Sequence, residues 1–205
     1  YAFGRKIDPK LTVKQQLKAT GLDWSVEKQD IFLKNGKVLS QKALVRSDNS
    51  EILTVGEDWN PVQNYEAFQF FNEFIEAGDM EMYTAGSLKG GKMVWALAKI
   101  KESFKIFGVD QIDSYLLFSN PHETGKCIDV NFVASRAVCY NTMTYAMSQR
   151  AKQKVRFHHK VKFDKDLVKE TFVFGQERME QYKQNALFLG SKYYTKDSLA
   201  MFFNK

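Results

Sequence analysis

Trp24 to Val55 reads WSVEKQDIFLKNGKVLSQKALVRSDNSEILTV, and this stretch divides into three strands. Trp24 to Leu33 alternates roughly between apolar and polar residues, the two-residue period of a half-buried strand. Asn35-Gly36 follows, a dipeptide that tolerates the positive φ angles of a tight hairpin turn. Lys42 to Arg46 is the second strand. Asp48-Asn49-Ser50 makes the next turn, because their short polar side chains bond their own backbone. Glu51 to Val55 is the third strand.

A helix is expected on either side. Thr12 can cap the segment 12–20, with Gln15 three residues on as in a capping box, and Gly21 stops it. Pro61 introduces a longer amphipathic helix through about Ala77, with Tyr65, Phe68, Phe71 (or Asn72) and Ile75 near one face, and Gly78 ends it. Two hairpins follow. One joins Met80–Ala85 to Met93–Ile100 around residues 86–92, and the other joins Ser114–Ser119 to Lys126–Ala134 around residues 120–125. Arg136 to Gln149 reads as a helix and Gln153 to His158 as a strand. Asp164 caps a helix running towards Ala186, and Thr195 to Asn204 forms a last short one. The expected class is α+β: an antiparallel sheet on a helix-β-β-β-helix core with further hairpins, and a helical C-terminal part. Residues 1–162 would form the core domain, with 163–205 packed on it.

With 205 residues, 44% of them hydrophobic, the chain is long enough for one substantial core. Its apolar stretches are too short and interrupted to span a membrane. No signal-peptide pattern is visible. Two cysteines, Cys127 and Cys139, supply no disulfide framework, so a reducing cytosol is the expected setting.

The charge is unevenly placed. Residues 150–205 carry 13 Lys and Arg against 6 Asp and Glu, while residues 1–149 carry 17 against 18. From Arg150 to Lys162 every even position is basic or histidine: Arg150, Lys152, Lys154, Arg156, His158, Lys160 and Lys162. No acid interrupts this run. An extended chain would set these cations along one face, as a polyanion requires. A lysine-rich edge strand that blocks aggregation would look the same. Since Asp164 caps a helix soon after, Lys160 and Lys162 fall at the turn, and the strand itself carries Lys152, Lys154, Arg156 and His158.

Other patterns are weaker. Gly86, Gly91 and Lys92 match the spacing of a phosphate-binding loop, but Met93 stands where magnesium needs a hydroxyl. The residues after it read as a strand instead of a helix. A hairpin loop is expected, in which Lys89 and Lys92 can still touch phosphates. Neither the cysteines nor His122, His158 and His159 have the spacing of a metal site, and no local signature marks a Cys–His catalytic pair. Asp110, Asp113, Glu123 and Asp129 form no nuclease pattern, although Asp129 and Asn131 would share a strand face. Trp59, Trp95, Tyr115 and Tyr140 could stack on bases, but core packing is the commoner fate of such residues. No cofactor and no catalytic constellation is expected.

Several segments together resemble a known family. They are Lys42–Arg46, Pro61–Asn64, Ala85–Gly91, Tyr115–Gly125, Arg136–Thr142 and Val155–His159. In this order they resemble the phage/plasmid-like family known as domain of unknown function 932. Members often begin with a Trp-His-Gly-Leu-Gly-like stretch, where this chain has Tyr1-Ala2-Phe3-Gly4. The resemblance implies cargo of phages, plasmids and prophages, hence DNA replication, recombination or evasion of host defence in the cytoplasm of a bacterial host. The order helix, three strands, long helix also resembles Rad52-like single-strand annealing proteins, by fold-level analogy.

The first expectation is therefore a homo-oligomer, ring-shaped by that analogy, that binds single-stranded DNA and promotes annealing without nucleotide hydrolysis. Lys152, Lys154, Arg156, His158 and Lys160 would hold phosphates, helped by Arg150, Lys162, Arg136, Lys89 and Lys92. The second is an interaction module that counters or recruits a host factor. The third is a nucleic-acid-processing enzyme using the 120–122 turn and residues 136–141.

Overall fold

The computed structural model describes residues 4–48, 51–76, 80–106, 110–133, 154–158, 177, 180–192 and 195–203. In chain order the elements are β1 (Arg5–Lys6), α1 (Val13–Thr20), β2 (Val26–Phe32), β3 (Val38–Arg46) and β4 (Glu51–Val55). Then come α2 (Asn64–Glu76), β5 (Met80–Leu88), β6 (Met93–Ile106), β7 (Asp110–Pro121), β8 (Cys127–Val133) and β9 (Lys154–His158). Residues 180–190 form a helix, α3, and Lys196–Phe203 form α4.

The first helix is set by its ends. Thr12 and Gln15 complete both halves of a capping box, and the Thr12 backbone N–H donates to Gln15 Oε1 at 2.9 Å. Gly21 closes the helix at φ 72°, a left-handed cap in which a side chain would be strained. The second helix starts at Asn64, later than Pro61 suggests, because the residues before it are used elsewhere. The Gln63 amide makes two hydrogen bonds to the Val26 backbone, and Glu66 accepts from the Gln63 N–H at 2.9 Å. Phe68 is fully buried as its spacing predicts, whereas Tyr65 is 40% exposed. Tyr65 sits in the first turn, where it lines a groove of about 620 Å³ beside Lys14, Lys18 and Trp24.

Strands β2, β3 and β4 form one antiparallel sheet, and β1-β5-β6-β7-β8-β9 form a second, also antiparallel. The hairpins thus build their own sheet instead of extending the first. One face of the larger sheet, with Ala96, Ala98, Leu116, Phe118, Ile128 and Val130, joins a core with Leu17, Leu44 and Phe68 from the helices and the small sheet. The other face carries a second buried cluster of Trp95, Leu97, Tyr115, Leu117 and Val133. Burying each such large side chain contributes about 1.5–3 kcal/mol. Trp95 and Tyr115 are therefore packing residues.

Strand β1 has no signature in the sequence pattern. It is pinned where Gly4, at φ 86°, and Gly86 let two backbones meet over Trp95. A β-carbon on Gly4 would stand 2.5 Å from the Trp95 ring, and one on Gly86 would stand 3.1 Å from the Gly4 α-carbon. The first glycine of the apparent phosphate loop is thus a packing glycine within β5.

Candidate nucleic-acid interface

Antiparallel pairing determines where the predicted cations go. Lys89 lies in a single 3-10 turn, residues Lys89–Gly91, between β5 and β6, and Lys92 caps it. Gly90 and Gly91 take φ of 68° and 97° there, and a β-carbon on Gly91 would press within 2.8 Å of Arg46 Nη1. The turn leads into a strand at Met93, so no helix N-terminus is offered to a phosphate.

Among the described residues, strand β9 is the edge of the large sheet and pairs only with β8. Register sets Val155 and Phe157 opposite the buried Val130 and Ile128, and sets Lys154, Arg156 and His158 opposite Asn131, Asp129 and Cys127. The predicted strand is therefore present over Lys154–His158. The side chain of Lys154, and all of Arg136, Arg150, Lys152, Lys160 and Lys162, lie outside the described side chains and residues.

The sequence run lacks acids, but the neighbouring strand provides one. Arg156 donates from Nε to Asp129 Oδ1 at 2.9 Å, with its side chain 47% exposed. This hydrogen bond to Asp129 holds the guanidinium above its ordinary pKa. With Arg156 half exposed and Asp129 14% exposed, the pair contributes on the order of 1 kcal/mol. Its consequence is orientation: Asp129 fixes the guanidinium through Nε. His158 Nδ1 stands 3.3 Å from Cys127 Sγ. The two residues are 31 apart in sequence, so no local signature could reveal them. A thiol beside an imidazole is the nucleophile–base arrangement, but no third group orients the ring among the described residues.

Pairing also gathers these groups. Met93 registers with Pro121, and Cys127 with His158. The start of β6, the end of β7, the start of β8 and the end of β9 therefore share one end of the large sheet. Lys89, Lys92, Lys126, Arg156 and His158, remote in sequence, lie along this end. Glu123 joins them, 3.7 Å from Lys89.

The family described as Domain of unknown function (DUF932) matches residues 52–205, three quarters of the chain. The chain belongs to this family. No curated protein and no solved structure matches it.

Within this DUF932 chain, four of the segments that carry the resemblance converge at the same end of the sheet. Arg46 lies over the Trp24 ring at 4.3 Å, pairs with Asp48 and donates to the Gly90 carbonyl at 3.1 Å. Asn120 donates to the Val62 carbonyl at 2.7 Å, and the His122 N–H to the Lys92 carbonyl at 2.7 Å. Asn64 donates to the carbonyls of Leu22 and Trp24. The His122 ring is fully buried, its centroid 5.8 Å from that of Trp24 and 6.3 Å from that of Trp59. These side chains tie the two sheets together. Asn120 and His122 face no solvent, so a substrate has no access to them through the described residues. Among those residues, no three His, Cys, Asp or Glu side chains are grouped to hold a metal ion.

Proposed function

We propose that this protein binds single-stranded DNA and promotes annealing of complementary strands, without hydrolysing a nucleotide. The observation that carries this reading is the gathering of Lys89, Lys92, Arg156 and His158 at one end of a single sheet by antiparallel register. The net charge of residues 150–205, 13 basic against 6 acidic, favours a polyanionic partner. Each phosphate neutralised by a lysine or arginine releases condensed counterions, which drives binding without reading sequence. Bases held by their backbone alone stay available to a second strand. Annealing also needs several copies working together. Phe188, Leu189 and Met201 on the C-terminal helices are more than half exposed, an apolar surface that supports self-association. The phage or plasmid setting and the bacterial cytoplasm follow from the resemblance.

Filter binding of a labelled oligothymidylate across a salt series tests the reading. Affinity is expected to fall steeply from about 50 to 200 mM salt. The triple variant Lys89→Ala, Lys92→Ala, Arg156→Ala should weaken binding and flatten the salt slope by about 2, since each phosphate left without its cation removes about 0.7. Absence of salt-sensitive binding by the native chain would overturn it.

A further inference from the structure

The β2–β3 hairpin extends beyond the core, and its outer half is built unlike a solubilising loop. Phe32 is 64% exposed, Leu33 43% and Val38 44%. Phe32 and Val38 are direct cross-strand partners, so they form one apolar plate. Between them lie Lys34 and Lys37, both exposed. Residues 31–41 contain no Asp or Glu, and Asp30 just before them is held by Lys42 at 2.6 Å. No ion-pair partner for Lys34 or Lys37 stands among the described residues.

The tip is also closed by hydrogen bonds. Leu33 N–H donates to the Lys37 carbonyl at 2.9 Å, Gly36 N–H to the Leu33 carbonyl at 2.8 Å, and Lys37 N–H to Asn35 Oδ1 at 3.0 Å. An exposed aromatic plate on a closed turn, flanked by two cations without an acidic neighbour, suits one kind of occupant. Every base presents a π-face to an aromatic ring, and the phosphates on either side of that base meet the ammonium groups. A hydrophobic protein surface would leave Lys34 and Lys37 without counter-charge.

We propose that this hairpin is an arm that grips single-stranded nucleic acid, with Phe32 stacking on a base and Lys34 and Lys37 holding the adjoining phosphates. The inference rests on the nucleic-acid reading above and adds a second point of attachment outside the residues matched by the family.

The experiment uses the full chain and a fluorescein-labelled oligothymidylate of about thirty nucleotides, read by anisotropy together with light scattering. Phe32→Ala should lower affinity by about tenfold, as loss of one base–aromatic stack does. Phe32→Trp should restore binding, and its indole emission should be quenched when oligonucleotide is added. Lys34→Ala with Lys37→Ala should reduce the salt slope by about 1.4. If the native chain binds and all three variants bind equally well, the arm is overturned while the sheet-end reading stands. If the native chain does not bind, both fall. If Phe32→Ala lowers the particle mass while affinity per protomer is unchanged, the arm docks a second copy and the inference is overturned.

Discussion

Asn120 shows how a residue that reads as part of a polar turn can be a structural residue of a strand. Its side chain has no exposure, and its amide bridges to Val62, 58 residues earlier in the chain. Replacing it with alanine leaves the Val62 carbonyl without that donor in a buried setting, which costs about 1–3 kcal/mol. Asn120→Ala should therefore lower the urea midpoint with an unchanged slope, and the proposed salt-dependent DNA binding should be intact once the protein is folded. A variant that keeps native stability would contradict this role. His122, two residues on, packs between two tryptophans in the same joint. From sequence, a polar turn beside an arginine reads equally well as a site or as a joint, because burial is a tertiary property. Likewise Arg156 reads as a free cation until register places Asp129 beside it. Gly86 and Gly91 match a phosphate loop in spacing, yet one admits β1 over Trp95 and the other admits the Arg46 guanidinium. Glycine is needed in both situations for the same reason, absence of a β-carbon.

At the level of elements, local chemistry was legible and extent was not. The capping box at Thr12, the stop at Gly21, the Asn35-Gly36 turn and the span Glu51–Val55 all follow from side-chain chemistry a few residues apart. Strand β3 begins at Val38 instead of Lys42 because its outer half carries little burial to pattern it. Strands β6 and β7 run to 14 and 12 residues for a related reason. Their distal halves mix polar with apolar residues, and Ile106 still registers with Asp110. Near this transition Lys99 and Asp113 form an ion pair at 2.8 Å, each side chain under a third exposed. The hydrogen bond from Lys99 lowers the Asp113 pKa below 3.8 and raises that of Lys99 above 10.5. The depressed carboxylate stabilises the fold above its unfolded pKa of 3.8, and the gain is lost as pH falls through the lower folded value. For Lys99 the gain is full below 10.5 and is lost as pH rises through its higher folded value. At neutral pH, Asp113→Asn should cost about 1 kcal/mol, the upper end for a pair at the surface. Denaturation curves of the two proteins should converge as pH drops below 3.8, and a gap that stays constant into acid would contradict the assignment.

At the scale of the whole molecule, the structure exposes apolar side chains where a lone globule would bury them. Tyr182 and Leu189 lie seven residues apart on α3, hence near one helical face, and are 45% and 58% exposed; Phe188 beside them is 59% exposed and Met201 on α4 is 73% exposed. Polar residues, including Glu180, Lys183 and Gln184, occupy other positions of the helix. If this surface joins protomers, the particle in solution should be an integral multiple of 23.7 kDa. Phe188→Ser with Leu189→Ser should reduce it to the single-chain mass without lowering the unfolding temperature of the core, because neither side chain is buried in the isolated chain. On the proposed reading, annealing requires two strands to be presented together, whereas binding one strand needs only the cations of one protomer and its arm. The double variant should therefore lose annealing far more than it loses binding to a short oligonucleotide. Light scattering alongside a fluorescence annealing assay separates the two effects. A native chain that runs at the single-chain mass and still anneals would break the link between assembly and activity, and leave the exposed helices to another partner.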